Sequence, residues 1–257
     1  MAGTAFLALL GFLGTAGLPV DHARVPSAEG VTLDAALVMP PAGMAQAAPV
    51  VALHGCGGPF ASRDGTWAIT LARQGHPVLL PDSFGSRGLG SQCSEKNRTV
   101  TPARERRADA EASGRWLAAF LPKAAKPALI GWSNGGGTVV AAAGHADTVF
   151  DRFVAFYPGC GSASRDAKWQ PAAKMLILVG LADEWTPAAP CERLAARYPH
   201  RIEIVTYPGA YHDFDAPDLK VRLRTGLASA PNGEAHVGTD PAARADALRR
   251  VPAFLGQ

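Results

Sequence analysis

The run Ala128-Leu129-Ile130-Gly131-Trp132-Ser133-Asn134-Gly135-Gly136-Gly137 decides how this chain is read. Its first three residues form a short apolar strand, and the glycines and alanines after residue 135 form a helix of small side chains to about residue 144. Between the two, the chain must turn within Gly131-Trp132-Ser133-Asn134-Gly135, a Gly-x-Ser-x-Gly placed at a strand-to-helix junction. A turn that tight leaves no room for a Cβ at its flanks. Gly131 and Gly135 supply the space, and Gly136 and Gly137 let the helix approach the sheet. Ser133 is thereby held at a strained backbone, exposed, with its oxygen near a helix N-terminus. A bare Gly-x-Ser-x-Gly is common by chance; one framed by strand and helix is rarer.

Outward from this turn, short apolar runs alternate with helical patterns. Strands are expected at residue 25 and at 32–39, 50–53, 78–80, 128–130, 153–157, 175–179 and 202–207. Helices are expected at 66–74, 102–121, 135–144, 187–198 and 241–255, and residues 82–101 read as a long loop at a strand exit. Strands that are continuous apolar runs between helices imply a mainly parallel sheet covered on both faces, an α/β architecture. One such domain accounts for residues 24–257.

Composition agrees. Of 257 residues, 47% are hydrophobic and 18% charged, which excludes a disordered chain. The 28 glycines and 21 prolines follow no Gly-X-Y period, so they mark turns and not collagen. The net charge of +3 is spread without a basic block, leaving no electrostatic footprint for nucleic acid. Residues 5–18 form an apolar run too short for a stable membrane span but suited to the core of an export signal, with Thr15-Ala16-Gly17 as small residues for cleavage. No Lys or Arg precedes Arg24, so the alternatives are a late-called start or a packed terminal helix. Residues 1–18 are therefore read as a signal peptide or apolar leader, and the location as periplasmic or secreted, with cytoplasmic as the alternative. The four cysteines, Cys56, Cys93, Cys160 and Cys191, include no Cys-x-x-Cys pair and have no histidine at metal-ligand spacing. No metal or cofactor is expected, and disulfides fit an exported chain in any of three connectivities.

A serine hydroxyl needs a base, and in this kind of turn the partners follow in the order acid, then histidine. Asp183 lies just beyond the run 175–179, with Glu184 as the competing carboxylate. His212 follows the run 202–207 and the turn Pro208-Gly209-Ala210-Tyr211; His236 is also downstream, in a Pro/Asn/Gly-rich segment. The remaining requirement is a pair of backbone N–H groups facing the developing oxyanion. His54-Gly55-Cys56-Gly57-Gly58, at the exit of 50–53, offers Cys56 or Gly57, and Asn134 offers the second donor. His54 is read as ordering that loop.

These segments, together with Pro81-Asp82-Ser83-Phe84, Asp183-Glu184-Trp185-Thr186-Pro187 and Ala210-Tyr211-His212-Asp213-Phe214, make the chain resemble the dienelactone hydrolase family over residues 24–220. The resemblance implies the α/β-hydrolase fold, with a sheet of about eight strands, and hydrolysis of esters or lactones. Founding members use a cysteine as nucleophile where this sequence has Ser133, which implies a serine-esterase branch acting on a small-molecule ester or lactone. The family's strand order also implies the pairings Cys56 with Cys93 and Cys160 with Cys191, across neighbouring strand ends. Phe60, Phe84, Arg87, Trp132, Trp185 and Tyr211 fall on exit loops beside the expected site and are candidates for the substrate pocket; Arg63 or Arg87 could hold a carboxylate. The basic run 104–107 reads as a solvated helix face. Acyl transfer, peptidase action with the same triad, and a silent small-molecule binder are the rival readings.

Overall fold

The structure, a computed structural model, describes residues 3–27 and 30–257. Eight strands form one sheet in the order β1-β2-β4-β3-β5-β6-β7-β8. Strands β1 (Val20–Pro26) and β2 (Thr32–Val38) are antiparallel to each other, and β2 is antiparallel to β4 (Val78–Pro81). From β4 onward, β3 (Val50–Leu53), β5 (Ala128–Trp132), β6 (Arg152–Phe156), β7 (Lys174–Gly180) and β8 (Ile202–Tyr207) run parallel. All their carboxyl ends therefore lie along one edge, where exit loops can meet.

Alternation along the strands divides the interior into two cores. Val50 and Ala52 of β3 face α1 (Thr4–Gly14), α2 (Ala61–Ala72) and α7 (Pro241–Leu255). Val51 and Leu53 face α3 (Glu105–Phe120), α4 (Asn134–Ala143) and α6 (Ala189–Arg197) on the opposite side. Both faces of β3, β4 and β5 are covered, so these strands carry no polar alternation.

Part of the stretch read as an export leader is the helix α1. Phe6, Leu9 and Leu13 are buried in the same core as Trp67, Ala68 and Leu71 of α2. A Cβ at Gly65 would lie 2.5 Å from the Phe12 ring, so the two helices meet at a residue without a side chain. Among the described residues, no helix is long and apolar enough to cross a membrane.

Three elements depart from the expectation. Helix α2 begins at Ala61 and not at 66, because the Asp64 carboxylate reaches back to accept the Phe60 N–H at 2.9 Å and starts the helix early. A single short helix, α5 (Gly161–Arg165), follows β6. Strands β9 (Arg222–Thr225) and β10 (Glu234–Val237) form a separate hairpin between His212 and α7.

Both disulfides implied by the family resemblance are formed. Cys56–Cys93 joins the loop after β3 to the loop after β4, and Cys160–Cys191 joins the loop after β6 to α6. Replacing both Cys160 and Cys191 by alanine removes a bridge that closes 31 residues. That variant should lose about 2–4 kcal/mol of unfolding free energy in urea titrations; an unchanged midpoint would show that the bridge contributes nothing.

Candidate active site

Strand β5 passes into α4 through one residue, Ser133, whose φ of 55° and ψ of −112° are costly for a side chain. The surroundings enforce this conformation. A Cβ at Gly131 would stand 2.5 Å from the Gly135 carbonyl oxygen, and one at Gly135 would stand 2.2 Å from the Leu53 oxygen. The Ser133 N–H donates to the Phe156 carbonyl at 3.0 Å, and the Gly137 N–H donates to the Ser133 carbonyl at 2.8 Å. The serine side chain is left at the sheet's carboxyl edge.

Asp183 and His212 meet at the same edge from the exits of β7 and β8. An Asp183 Oδ2 lies 2.7 Å from His212 Nδ1, while Oδ1 accepts the N–H groups of Trp185 and Thr186 at 2.9 Å each. The Thr186 hydroxyl sits 2.9 Å from both the Asp183 carboxylate and the Tyr157 carbonyl, tying the β7 loop to the end of β6. The imidazole lies between two rings, Tyr157 at 4.5 Å and Trp185 at 4.6 Å between centroids. With Nδ1 committed to Asp183, the buried Nε2 has no hydrogen-bond partner among the described residues. Burial works to lower the His212 pKa, but the charge and hydrogen bond of Asp183 outweigh it and hold the imidazole above its ordinary value. Burial would likewise raise Asp183, yet the facing His212 and the donated hydrogen bonds hold it below the usual carboxylate range.

The competing groups lie elsewhere. His236 is on β10, where its Nδ1 lies 2.9 Å from Glu184, so the second carboxylate and the second histidine pair with each other. The Pro/Asn/Gly-rich segment is thus the hairpin's connection. The hairpin also steadies the site: Gly238 N–H donates to the His212 carbonyl at 2.9 Å, and Trp185 Nε1 donates to Ser229 Oγ at 3.1 Å.

The loop 54–58 closes over Ser133 from the β3 side. A Cβ at Gly55 would lie 3.7 Å from Ser133 Cβ, and Cys56 and Gly57 line one cavity together with the serine. His54 is buried; Nδ1 lies 2.8 Å from the Gly55 carbonyl, and Nε2 is 3.2 Å from the Ser83 N–H. This assigns the proton to Nδ1. Burial and the nearby Arg106 hold its pKa well below the ordinary value, so it is a neutral strut. Arg106 corrects the reading of 104–107 as a solvated face. Arg104 is exposed beside Glu105, but Arg106 is fully buried, donates to Asn134 Oδ1 at 2.7 Å and lies over the Phe84 ring. Burial pulls its pKa down to about 10, against the opposing charges of Asp109, Asp82 and Asp64.

Two cavities open at Ser133. One of about 350 Å³ is walled by Phe60, Arg63, His212 and the hairpin residues Arg222 and Arg224. The other, of about 700 Å³, runs over α4. Cys56, Ser133 and Trp185 line both. Of the six residues put forward for the pocket, Phe60 and Trp185 are in these walls and four are not. Phe84 is buried against His54. Arg87 is locked onto Asp109 by two contacts of 2.8 Å. Trp132 points into the core and donates to Asp215 at 2.8 Å, and Tyr211 faces His236. Arg63 does line the smaller cavity, but Asp64 and Asp213 hold it at 2.9 and 2.8 Å. Arg222 and Arg224 were not anticipated; they alternate with Val221 and Leu223, in and just before a four-residue strand whose side chains stay largely exposed, a strand signal that was passed over.

An eight-stranded, mainly parallel sheet with a strained serine between strand and helix defines an α/β hydrolase. The profile of the dienelactone hydrolase family matches residues 33–257, and the chain belongs to that family. A candidate dienelactone hydrolase from Klebsiella pneumoniae subsp. pneumoniae superposes with a TM-score of 0.70 at 19% identity, over 94% of this chain and 99% of that one. The dienelactone hydrolase of Anabaena variabilis gives 0.67 at 19% identity, over 92% and 96%. Esterase 2 of Thermogutta terrifontis, phosphoramylated by tabun in its structure, gives 0.64 at 17% identity, over 92% and 93%. No curated protein matches the sequence. Family membership makes the chain a hydrolase with a small-molecule substrate.

The Asp183–His212 pair sets a pH signature. The share from His212 is fully present below the ordinary imidazole pKa and is lost as pH rises through its raised value. The share from Asp183 is present above the ordinary carboxylate pKa and is lost as pH falls through its lowered one. NMR titration should therefore find His212 above the ordinary imidazole value of 6.5. In Asp183→Asn, burial remains without the opposing charge, and the midpoint should fall below that value; a midpoint that stays put would show that Asp183 does not govern the imidazole.

Proposed function

We propose that this protein is a serine hydrolase that cleaves carboxylic esters or lactones through an acyl-enzyme on Ser133. The observation that carries the reading is that Ser133 and His212 share one cavity wall, while Asp183 occupies the other nitrogen of the imidazole. The free Nε2 is the atom that would take the serine proton as Oγ bonds to the substrate carbonyl carbon. The carbonyl electron pair moves to oxygen, where the N–H groups of Asn134 and of Cys56 or Gly57 receive it. Collapse of the tetrahedral species breaks the bond to the leaving oxygen, which His212 protonates. Water, deprotonated by His212, then releases the acid and restores Ser133. No hydrogen bond joins His212 to Ser133 in the free site, and such contacts commonly tighten only around substrate.

His54 and Arg106 serve the oxyanion side, one bracing the 54–58 loop and the other gripping the Asn134 side chain. We place the protein in an oxidising compartment, periplasmic or extracellular, on the strength of the two disulfides.

Ser133→Ala should lower ester turnover by a factor on the order of 10⁶ while leaving the thermal transition in place, and a fluorophosphonate probe should label the parent at Ser133 alone. Retained turnover in Ser133→Ala, or labelling elsewhere, would overturn the scheme. Because His212 acts as a base, kcat/KM should rise with pH through a midpoint above 6.5. A profile flat across that range would remove His212 from the role. Turnover with no ester formed on added alcohols separates hydrolysis from acyl transfer, and intact added peptides separate it from peptidase action.

A further inference from the structure

The larger cavity has a shape that the reaction itself does not require. It begins at Ser133 and Asn134 and follows one face of α4, where Gly137 and Ala141 form its floor. Residues three and seven positions after Asn134 share a helix face, so this floor is a continuous strip of backbone and methyl groups. Pro102 and Pro190 also line it. Val140 and Trp169 line it too, with Trp169 Nε1 donating to the Val140 carbonyl at 3.1 Å. From Asn134 to Ala141 the helix rises roughly 10 Å, about the extended length of an eight-carbon chain. The rest of α4 is turned into the sheet, so the strip stays small because larger side chains there would fill the groove.

The opposite lobe differs in both size and charge. At about 350 Å³ it has half the volume, and its outer wall carries Arg222 and Arg224, neither ion-paired among the described residues. Ser133 stands at the waist between the two.

Resting on the hydrolase reading, we propose that the α4 groove is a binding subsite for an extended apolar arm of the substrate. The natural substrate class is then an ester with one medium-length alkyl or aryl arm and one compact arm that is neutral or anionic. Each methylene drawn from water into the groove adds roughly fourfold to kcat/KM as long as it fits.

The test uses two ester series on the full chain: p-nitrophenyl acyl esters from two to eight carbons, and acetates of alcohols over the same range. In at least one series the eight-carbon member should exceed the two-carbon member at least tenfold in kcat/KM. Ala141→Phe, which fills the groove midway, should bring that ratio to within about threefold of unity, and the smaller Ala141→Leu should lower it partway. A flat profile in both series of the parent would overturn the proposal, as would a ratio unaltered in both variants. Fluorophosphonate labelling of Ser133 in parent and variants separates the two levels. Label with no chain-length selectivity overturns the groove alone; no label overturns the hydrolytic reading and the groove with it.

Discussion

Everything at the working edge of this molecule depends on a backbone-to-backbone contact. Helix α4 enters so close to β3 and β5 that the positions of Gly131 and Gly135 admit no side chain. That proximity forces the chain through an unfavourable conformation at Ser133, and the cost is met by the burial of the surrounding sheet. The hydroxyl's position is therefore fixed by the rigid centre of the domain, where β3, β5 and β6 are buried on both faces. Its chemical partners arrive on loops, and the parallel order of β5, β7 and β8 brings those loops to one edge.

The loops are not left to find their places by packing alone. Behind His212, Asp215 accepts the Trp67 and Trp132 indole N–H groups at 2.7 and 2.8 Å and the Tyr157 hydroxyl at 2.6 Å. Arg63 spans Asp64 and Asp213 in the same buried layer. Burying several charges is costly unless each finds partners, and here every carboxylate does. The result ties α2, the end of β6 and the loop after His212 into one unit. The imidazole is thus oriented from two directions, by Asp183 in front and by the segment Asp213–Asp215 behind.

Much of this was legible in the residues. Strands buried on both sides read as unbroken apolar runs, and β3 falls on its expected bounds for that reason; β8, half-exposed and carrying Glu203 and Thr206, does so on its β-branched and aromatic residues. The glycine pattern around Ser133 located the turn because the steric demand is local. What was not legible depends on distant partners. Arg106 looks like any other charge in a basic run, and only the fold brings it to Asn134, 28 positions away. Trp132 flanks the serine in sequence, yet strand alternation turns it into the core. The β9–β10 strands do alternate, Arg222-Leu223-Arg224-Thr225 and Glu234-Ala235-His236-Val237, but each is only four residues long and β9 buries no side chain, so the signal was short and went unread. Cys56 and Cys93 could have been joined in several ways until a strand order was supposed, and α1 showed an apolar run without showing what it would face.

The hairpin stands apart from this rigid centre. It supplies Arg222, Arg224 and Val237 to one cavity wall, yet its two strands join no other sheet. Leu227, Ala235 and Val237 rest on the Cys56–Cys93 bridge and Trp185, a small cluster separate from both main cores. Amino-acid replacements at its outward positions can consequently accumulate over generations without disturbing the sheet or the strained serine. What the smaller cavity admits can thus change with little cost to the fold, because its outer wall is hung on a hairpin and not on the sheet.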